Sequence, residues 1–429
     1  MIREKNQKEG IFYGVWIIGG CFILLFLFAG AGFYSFSIFI KPLEEYFGWS
    51  RAAISFTMSI HMIVGGLAGP FLGKLIETYG PKKIMTLSAM AAGACFISVS
   101  FTNSLWYFYM TYGFLAITSA GVGFIPVSSV LARWYVRRRG TAIGSAMVGI
   151  AVGGLLMAPF VGQITYHFSW RASFVFLGLL VWALALPVTL FVIKSSPAEM
   201  GLLPDGDQVE IGKNLKPLPD IVNSSLAPKE EGWPFHAAIR TRAFFWIGLT
   251  FLLAPLGQMG VLQHQVPLIV EAGISEATAA TALGLTAGLG GLGKLSFGRI
   301  SEILPFHYAA MLCFGLQALG VFVLLNTQSI AMVWVYVMIF GFAMGGVIVL
   351  LPIAVGHFFG LASFGVIMGL VSMIQAFGCA SGALISGLIY DYMGSYDYAL
   401  ITYIFIYMAA IITIFLAGKP KPYTESQRL

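Results

Sequence analysis

Long apolar runs separated by short polar connections alternate along almost the whole chain. A helix needs about 20 mostly apolar residues to cross the hydrocarbon core of a bilayer. Each run is long enough to predict one membrane-spanning helix, including the first, which is too long for a signal-peptide core. The twelve predicted spans are 13–40, 52–73, 84–102, 105–132, 141–163, 172–193, 243–267, 277–298, 308–326, 330–356, 364–389 and 396–417.

The composition is that of a membrane protein rather than of a soluble domain. Hydrophobic residues make up 58% of the 429 residues and charged residues 10%, whereas a soluble domain is about 45–50% apolar and about 25% charged. We therefore predict an all-α membrane protein with twelve transmembrane helices. No metal or cofactor is expected, because the cysteines lie in apolar runs without the spacing of metal or redox motifs. These cysteines are Cys21, Cys95, Cys313 and Cys379.

A single long polar stretch, about 194–241, separates the sixth span from the seventh and contains six prolines. Polar segments rich in proline are typical of linkers between structured units. The predicted organisation is therefore an N-terminal six-helix half (1–193), a linker (194–241) and a C-terminal six-helix half with a tail (242–429).

Basic residues are concentrated on one side of the predicted topology. Of the 24 Lys and Arg residues, 20 fall on the side of the linker and both termini, and one, Lys294, lies within a span. Only Lys41, Arg51 and Arg171 fall on the other side. Because Lys and Arg are enriched in cytoplasmic loops, we predict a multi-pass protein of the cell inner membrane with the linker and both termini in the cytoplasm. This topology also explains the net charge of +6, so the expected partners are the lipid bilayer and a small solute rather than nucleic acid, with the monomer as the functional unit.

The two predicted halves resemble each other when the sequence is shifted by 225 residues. A parallel repeat of six helices is typical of transporters in which one half rocks against the other around a central site. The matched pairs are Pro42 and Pro267, Ser50 and Ser275, Gly73 and Gly298, Glu77 and Glu302, Gly121 and Gly346, Gly140 and Gly365, Gly144 and Gly369, and Gly153 and Gly378.

The polar turn after the second span carries a recognisable signature. Residues 73–83 read GKLIETYGPKK, and a shorter copy, GRISE, follows the eighth span at 298–302. The longer segment resembles the G-x-L-a-D-r-x-G-r-r-x signature of the major facilitator superfamily, with Glu77 in place of the usual aspartate. Its glycine allows two helices to approach closely, and its acid can hold a cation on the opposing half in one conformation only. The candidate gating residues are Gly73, Glu77, Arg133, Gly298 and Glu302.

Three further segments narrow the resemblance. Residues 41–51 (KPLEEYFGWSR), 132–140 (ARWYVRRRG) and 13–16 (YGVW) resemble the prokaryotic branch of the monocarboxylate transporter (solute carrier 16) and oxalate/formate antiporter group. The resemblance implies twelve helices in two halves, alternating access, and a small organic anion as the substrate.

Lys294 is the most informative single residue, because a charge within the hydrocarbon core costs several kcal/mol and is usually functional. Apart from residues at the span edges, it is the only Lys, Arg, Asp or Glu in the predicted spans, and its repeat mate is Gly69. Since no acidic side chain in the spans can pair with it, the predicted partner is a substrate anion. The alternative is that the amine extends to the linker side, because Arg299 lies only five residues further on, or roughly 7.5 Å of helix rise.

The resemblance adds a role for this position. Related transporters carry in the eighth helix an arginine that binds the substrate carboxylate, in a segment that corresponds to 293–298 here, so Lys294 replaces that arginine. Animal members also have an aspartate implicated in proton coupling one turn earlier, where this chain has Gly290. A desolvated lysine can release its proton, whereas arginine stays charged. We therefore hypothesise that Lys294 takes up a proton and an anion together.

Two further residues are candidates for handling the proton. His264 lies in the polar cluster Gln263-His264-Gln265 of the seventh span, and Glu271 follows near the outer mouth. We predict that both assist substrate binding or protonation. The alternative for His264 is a hydrogen-bonded packing role, which is also typical of a lone histidine in a membrane.

Aromatic and polar residues are predicted to shape the cavity. Phe33, Tyr34 and Phe124 correspond to positions that line the cavity in the transporters that this chain resembles. Ser372 and Gln375 share one face of the eleventh span, where they contact either the substrate or a facing helix. The predicted substrate-binding residues are Lys294, His264, Phe33, Tyr34, Phe124, Ser372 and Gln375, and the predicted proton-coupling residues are Lys294, His264 and Glu271.

Together these features predict a secondary active transporter of small monocarboxylates such as lactate or pyruvate, coupled to a proton and working by alternating access. An enzyme is not expected, because no nucleophile, base or metal constellation is recognisable. Alternatives are an anion exchanger of the oxalate/formate kind, an exporter of amphipathic compounds, and a transporter-like sensor. A dicarboxylate favours two cations, and only Lys294 lies within the spans; a sensor is disfavoured by the lack of a signalling domain.

Overall fold

The computed structural model describes residues 12–206, 232–418 and Pro420, and this part of the chain is almost entirely helical. The predicted cytoplasmic ends of the chain and linker residues 207–231 lie outside the described residues. Twelve long helices follow one another: α1 Gly14–Tyr34, α2 Arg51–Tyr79, α3 Pro81–Val99, α4 Leu105–Trp134, α5 Arg139–His167, α6 Trp170–Val192, α7 Arg242–Glu271, α8 Glu276–Ile303, α9 Phe306–Leu325, α10 Ile330–Phe359, α11 Phe364–Met393 and α12 Asp397–Leu416.

The helices cross the molecule in alternating directions. We call the face that carries the α6–α7 connection the linker face, and the other the opposite face. Odd-numbered helices begin at the linker face and even-numbered helices end there. A short helix, Phe36–Phe47, extends α1 beyond its membrane span at the opposite face.

Eleven of these helices are long and apolar enough to cross a membrane, counting only the described residues. The twelfth is α8, which is rich in glycine and contains Lys294 and Glu302. Its 28 residues correspond to about 42 Å of helix, which is enough to span a bilayer. It packs mainly against α5 and α10, so its polar groups lie between helices of both halves. The predicted all-α membrane fold is confirmed.

Serines cap equivalent helices in the two halves. Ser50 accepts a hydrogen bond from the Ala53 N–H at 3.2 Å at the start of α2, and Ser275 accepts one from the Thr278 N–H at 3.3 Å at the start of α8. Such caps satisfy N–H groups that have no partner within the helix. The two serines are repeat mates, so the repeat marks the same structural position in both halves.

Repeated glycines mark close contacts within each half. A methyl group on Gly153 of α5 would lie 2.3 Å from the Phe26 carbonyl oxygen of α1. One on Gly378 of α11 would lie 2.2 Å from the Leu252 carbonyl oxygen of α7. Any side chain at either position would therefore collide with backbone. The α1–α5 and α7–α11 contacts are equivalent, as a parallel repeat requires.

Four of the described helices depart from regular α geometry near mid-membrane or at their ends. α1 and α6 end in the π-helical turns Gly30–Tyr34 and Val188–Val192, and α10 contains another at Val337–Gly341. α4 is interrupted at Gly123, and half-buried Phe124 starts its second segment. Within the α1 turn, Phe33 packs edge-on against the neighbouring tyrosine with ring centroids 5.4 Å apart. π-helical turns are frequent at functional sites.

The described start of the linker is fixed to the loop between α4 and α5. The side chain of Asp205 is 3% exposed and accepts hydrogen bonds from the N–H groups of Val136 (3.0 Å), Arg137 (2.8 Å) and Arg138 (3.3 Å). Successive backbone N–H groups that converge in this way form an anion-binding nest. Burial, followed by the nearby Asp205 carboxylate, raises the pKa of Tyr135 to about 12.

Removing this carboxylate is expected to release the loop. In Asp205→Ala three N–H groups lose an ionised acceptor, and such bonds contribute about 1.5–3 kcal/mol each, less where water replaces them. We therefore expect trypsin to cleave the purified protein faster after Arg137 and Arg138, both of which are exposed. Asp205→Asn keeps one acceptor oxygen and should be intermediate. Equal cleavage rates in all three proteins would show that the nest does not hold the loop.

Candidate functional site

Lys294 lies in α8 with its amine buried between helices. The residue is 7% exposed, and its Nζ donates a hydrogen bond to the Gly290 carbonyl oxygen at 3.3 Å. In the described part of the chain, no carboxylate forms an ion pair with this amine. The side chain runs back along α8 toward Gly290 and the opposite face, as long side chains on helices do. It therefore does not extend to the linker face near Arg299.

Glycines hold the backbone of Lys294 from two sides. On the α10 side, a methyl group on Gly345 would lie 2.7 Å from the Lys294 amide nitrogen, and one on Gly293 would lie 1.9 Å from the Phe342 carbonyl oxygen. On the α5 side, a methyl group on Gly144 would lie 2.5 Å from the Lys294 carbonyl oxygen. Since α5 belongs to the first half and α10 to the second, the lysine lies at the boundary between them.

The two halves meet along two equivalent contacts, α2 with α11 and α5 with α8. A methyl group on Gly73 would lie 2.2 Å from the Gly365 carbonyl oxygen, and one on Gly140 would lie 2.1 Å from the Gly298 carbonyl oxygen. The predicted gating glycines Gly73 and Gly298 therefore lie in the contact between the halves. These contacts close the linker face.

An acidic residue joins the halves at the linker face in each contact. Glu77 at the end of α2 accepts a hydrogen bond from the Val366 N–H of α11 at 3.0 Å. Glu302 at the end of α8 accepts from the Thr141 N–H and hydroxyl of α5 at 2.6 and 2.8 Å. Both contacts are to helix N-termini, where free N–H groups and the helix dipole favour negative charge. The cation contact expected from the sequence stays a prediction. Arg133, the remaining predicted gating residue, lies half-buried at the same face in the last turn of α4.

Tyr34 packs against α5, the helix of the first half that contacts α8. Its ring covers Gly154, where a methyl group would lie 2.8 Å from the ring carbon Cδ2. On the same side of α5, the Ala151 methyl lies 3.4 Å from the position that a Cβ on Gly291 of α8 would take. Residues three apart on a helix are neighbours, with Cβ atoms about 5–6 Å apart. Tyr34 therefore packs on α5 about one turn away from the point where α5 meets Gly291 of α8.

Ser372 and Gln375 lie on α11 at a depth similar to that of Lys294. Both Ser372 and Lys294 are about 12–14 Å from the linker-face ends of their helices by helix rise. Gly369 and Ala376 contact α2 on either side of Ser372, so this serine lies on the face of α11 that packs against the first half. Among the described residues its buried Oγ has no hydrogen-bond partner. Gln375 is half-buried beside it.

His264 and Glu271 lie at a different depth. The His264 Nδ1 is 3.2 Å from the hydroxyl of Tyr396, whose ring stacks on Tyr390 with centroids 4.3 Å apart. Tyr390 in turn hydrogen-bonds to Glu271. By helix rise, His264 lies about 10 Å and Lys294 about 27 Å from the opposite-face ends of their helices. The structure therefore groups His264 with Glu271 at the opposite face and does not bring either of them to Lys294.

Sequence reasoning did not single out the groups around the Lys294 amine. A Cβ on Gly290 would lie 3.0 Å from the Met344 Cε of α10 and 3.8 Å from the Lys294 Nζ, so this methionine flanks the amine. Methionine is a common core residue and carries no sequence signal here. Gly144 and Gly345 do carry a sequence signal, because glycines are typical of positions where two helix backbones approach closely. The sequence did not indicate that both glycines contact the backbone of Lys294.

Two equivalent halves that meet at one face, with a buried lysine at their boundary, have the architecture of transporters that rock one half against the other. The sequence profile of the Major Facilitator Superfamily matches residues 22–383. The chain belongs to this family, which consists of multi-pass membrane transporters for small solutes rather than enzymes.

Three comparisons illustrate the relationship. Monocarboxylate transporter 12 of Homo sapiens is 24% identical over 414 residues, covering 92% of this chain and 78% of the relative. An uncharacterised MFS-type transporter of Bacillus subtilis (strain 168), YcxA, is 24% identical over 421 residues, covering 92% and 94%. The crystal structure of the transporter FucP in its outward conformation superposes with a TM-score of 0.72 at 12% identity, covering 95% of this chain and 100% of that one. The structural likeness confirms the fold predicted from the repeat.

Proposed function

We propose that the protein carries small monocarboxylates, such as lactate or pyruvate, together with a proton. The observation that carries the proposal is the Lys294 amine, which is buried with a backbone carbonyl as its hydrogen-bond partner and with no ion pair among the described residues. Protonation of this amine without a counter-charge would cost several kcal/mol. A substrate carboxylate that binds the amine would offset this cost, and one amine matches one carboxylate.

The similarity to proteins named monocarboxylate transporters supports the same substrate class. A dicarboxylate exchanger of the oxalate/formate kind would be favoured by a second cation near the first. Away from the ends of the described transmembrane helices, Lys294 is the only Lys or Arg. The site is completed in this proposal by Phe33, Tyr34, Phe124, Ser372 and Gln375.

The chemistry of lysine at this position supports proton coupling. An amine can be neutral in the empty site and charged when an anion binds, whereas a guanidinium stays charged. Gly290 offers the amine a carbonyl oxygen but no carboxylate, so the substrate itself would favour the protonated form. His264 and Glu271, grouped at the opposite face, would exchange protons with the solution at the entrance.

The distribution of basic residues supports a direction of entry for the substrate. Of the 24 Lys and Arg residues, 20 lie on the linker side of the chain, which supports a cytoplasmic linker face in an inner membrane. The closed linker face then corresponds to an outward-facing state, in which lactate reaches Lys294 from the opposite face. Opening of the α2–α11 and α5–α8 contacts would release it to the cytoplasm.

Purified protein in liposomes is expected to accumulate labelled lactate when a proton gradient is imposed, because proton and anion cross together. Collapse of the gradient with a protonophore should abolish accumulation, and unlabelled pyruvate should compete. Exchange of labelled oxalate without dependence on the gradient would support the anion exchanger instead. If the protein transports none of lactate, pyruvate and oxalate, the proposal is overturned.

A further inference from the structure

We propose that Gly144 is a positioning residue for the Lys294 amine, so that the anion site is complete only while the α5–α8 contact is closed; this rests on the substrate role proposed for Lys294. The contact between Gly144 and the Lys294 carbonyl oxygen leaves no room for a side chain, since a methyl group would lie 2.5 Å from that oxygen. The residue that would bind the anion is therefore part of the α5–α8 contact that closes the linker face.

Lys294 breaks the symmetry of the two contacts between the halves. In the α2–α11 contact, the equivalent place is taken by Gly69, and a methyl group on Gly369 would lie 2.4 Å from its carbonyl oxygen. The two contacts are therefore equally tight, but one consists of two glycines and the other of a glycine and a lysine. Gly69 shows that the scaffold closes without a cation, so the lysine links a solute site to closure at one contact only.

Two glycines contact the backbone of Lys294, one from its own half of the protein and one from the other half. Gly345 lies in the same half as α8 and moves with it. Gly144 lies in the other half and separates from α8 when the linker face opens. The amine is held one turn away by the Gly290 carbonyl oxygen, so loss of the Gly144 contact frees the turn of helix that aims the amine. A carboxylate bound in the closed state would be held less tightly once the linker face opens, which favours release on that side.

Gly144→Ala and Gly369→Ala form a matched test, because each adds one methyl group with nearly the same overlap at equivalent positions. Both should weaken closure of the linker face and change kcat. Only Gly144→Ala displaces the residue that carries the amine. We expect the preference for lactate over its neutral amide, lactamide, to be about tenfold lower in Gly144→Ala than in Gly369→Ala, because both variants weaken closure but only the first also displaces the amine. Competition of both compounds with labelled lactate on the purified full-length protein measures this preference.

Glu302→Ala and Glu77→Ala open the linker face without added volume, which keeps the proposal testable if the alanine variants of the glycines do not fold. Each carboxylate holds one contact between the halves closed, and opening of the face separates Gly144 from α8 in either variant, so both should lower the preference relative to the wild-type protein. Equal preferences in Gly144→Ala and Gly369→Ala, or the wild-type preference in both glutamate variants, would overturn the positioning role. Lys294→Gln separates the two proposals: unchanged lactate binding in this variant would contradict the proposed function. Lost lactate binding in Lys294→Gln together with equal preferences would contradict only the role of Gly144.

Discussion

Lys294→Gln is expected to lose nearly all measurable lactate binding while the protein still folds. Truncating one partner of a buried charge pair costs about 2–5 kcal/mol, which lowers affinity by at least about 30-fold. Glutamine keeps a hydrogen-bond donor but has no charge for the carboxylate. Packing of Gly144 and Gly345 against residue 294 involves its backbone, so the substitution leaves these contacts intact. Equilibrium binding of labelled lactate to the purified protein checks the loss.

Lys294→Arg is the matched variant that keeps the charge. A guanidinium binds a carboxylate through two parallel hydrogen bonds and stays protonated in proteins. Lactate binding and exchange should therefore persist, whereas accumulation driven by a proton gradient should fall. Full accumulation by Lys294→Arg would contradict the proposed role of the amine in proton coupling. Full affinity of Lys294→Gln would contradict its role in anion binding.

Much of the architecture was predictable because it depends on properties that recur along the chain. Apolar runs predicted all twelve helices, including α8, whose glycines reduce its apolar character but not its length. The shift of 225 residues predicted Gly73 and Gly298 as equivalent, and both lie in the contact between the halves. The lysine was predictable as well, because a single charge stands out in an apolar background.

The partners of these residues were harder to predict, because they depend on backbone atoms and on depth in the membrane. Glu77 and Glu302 bind N–H groups of Val366 and Thr141, and every residue except proline carries an N–H group, so residue type gives no signal. His264 lies one helix away from Lys294 along the chain, but neighbouring helices run in opposite directions. Counting residues from the helix ends would have placed the two at different depths.

The second large effect is expected at the linker face. Glu302→Ala removes an ionised acceptor from both the N–H and the hydroxyl of Thr141, and hydrogen bonds to charged groups contribute about 1.5–3 kcal/mol each. The equilibrium should therefore shift toward an open linker face by at least about tenfold. Spin labels at the exposed positions Lys83 and Ile303 report the separation of the halves. We expect a longer distance to become populated in this variant.

Comparison of the two acids tests whether the acid itself holds the face closed. Glu77→Ala should shift the same equilibrium in the same direction, since Glu77 also binds a helix N-terminus across the halves. Glu302→Gln keeps a side-chain oxygen that can still accept from the Thr141 N–H, so it should restore part of the closed population. Glu199→Gln changes an exposed acid of the linker and should leave the distances unchanged. If Glu302→Ala also left them unchanged, the glycine contacts alone would hold the linker face closed, because they remain intact when the carboxylate is removed.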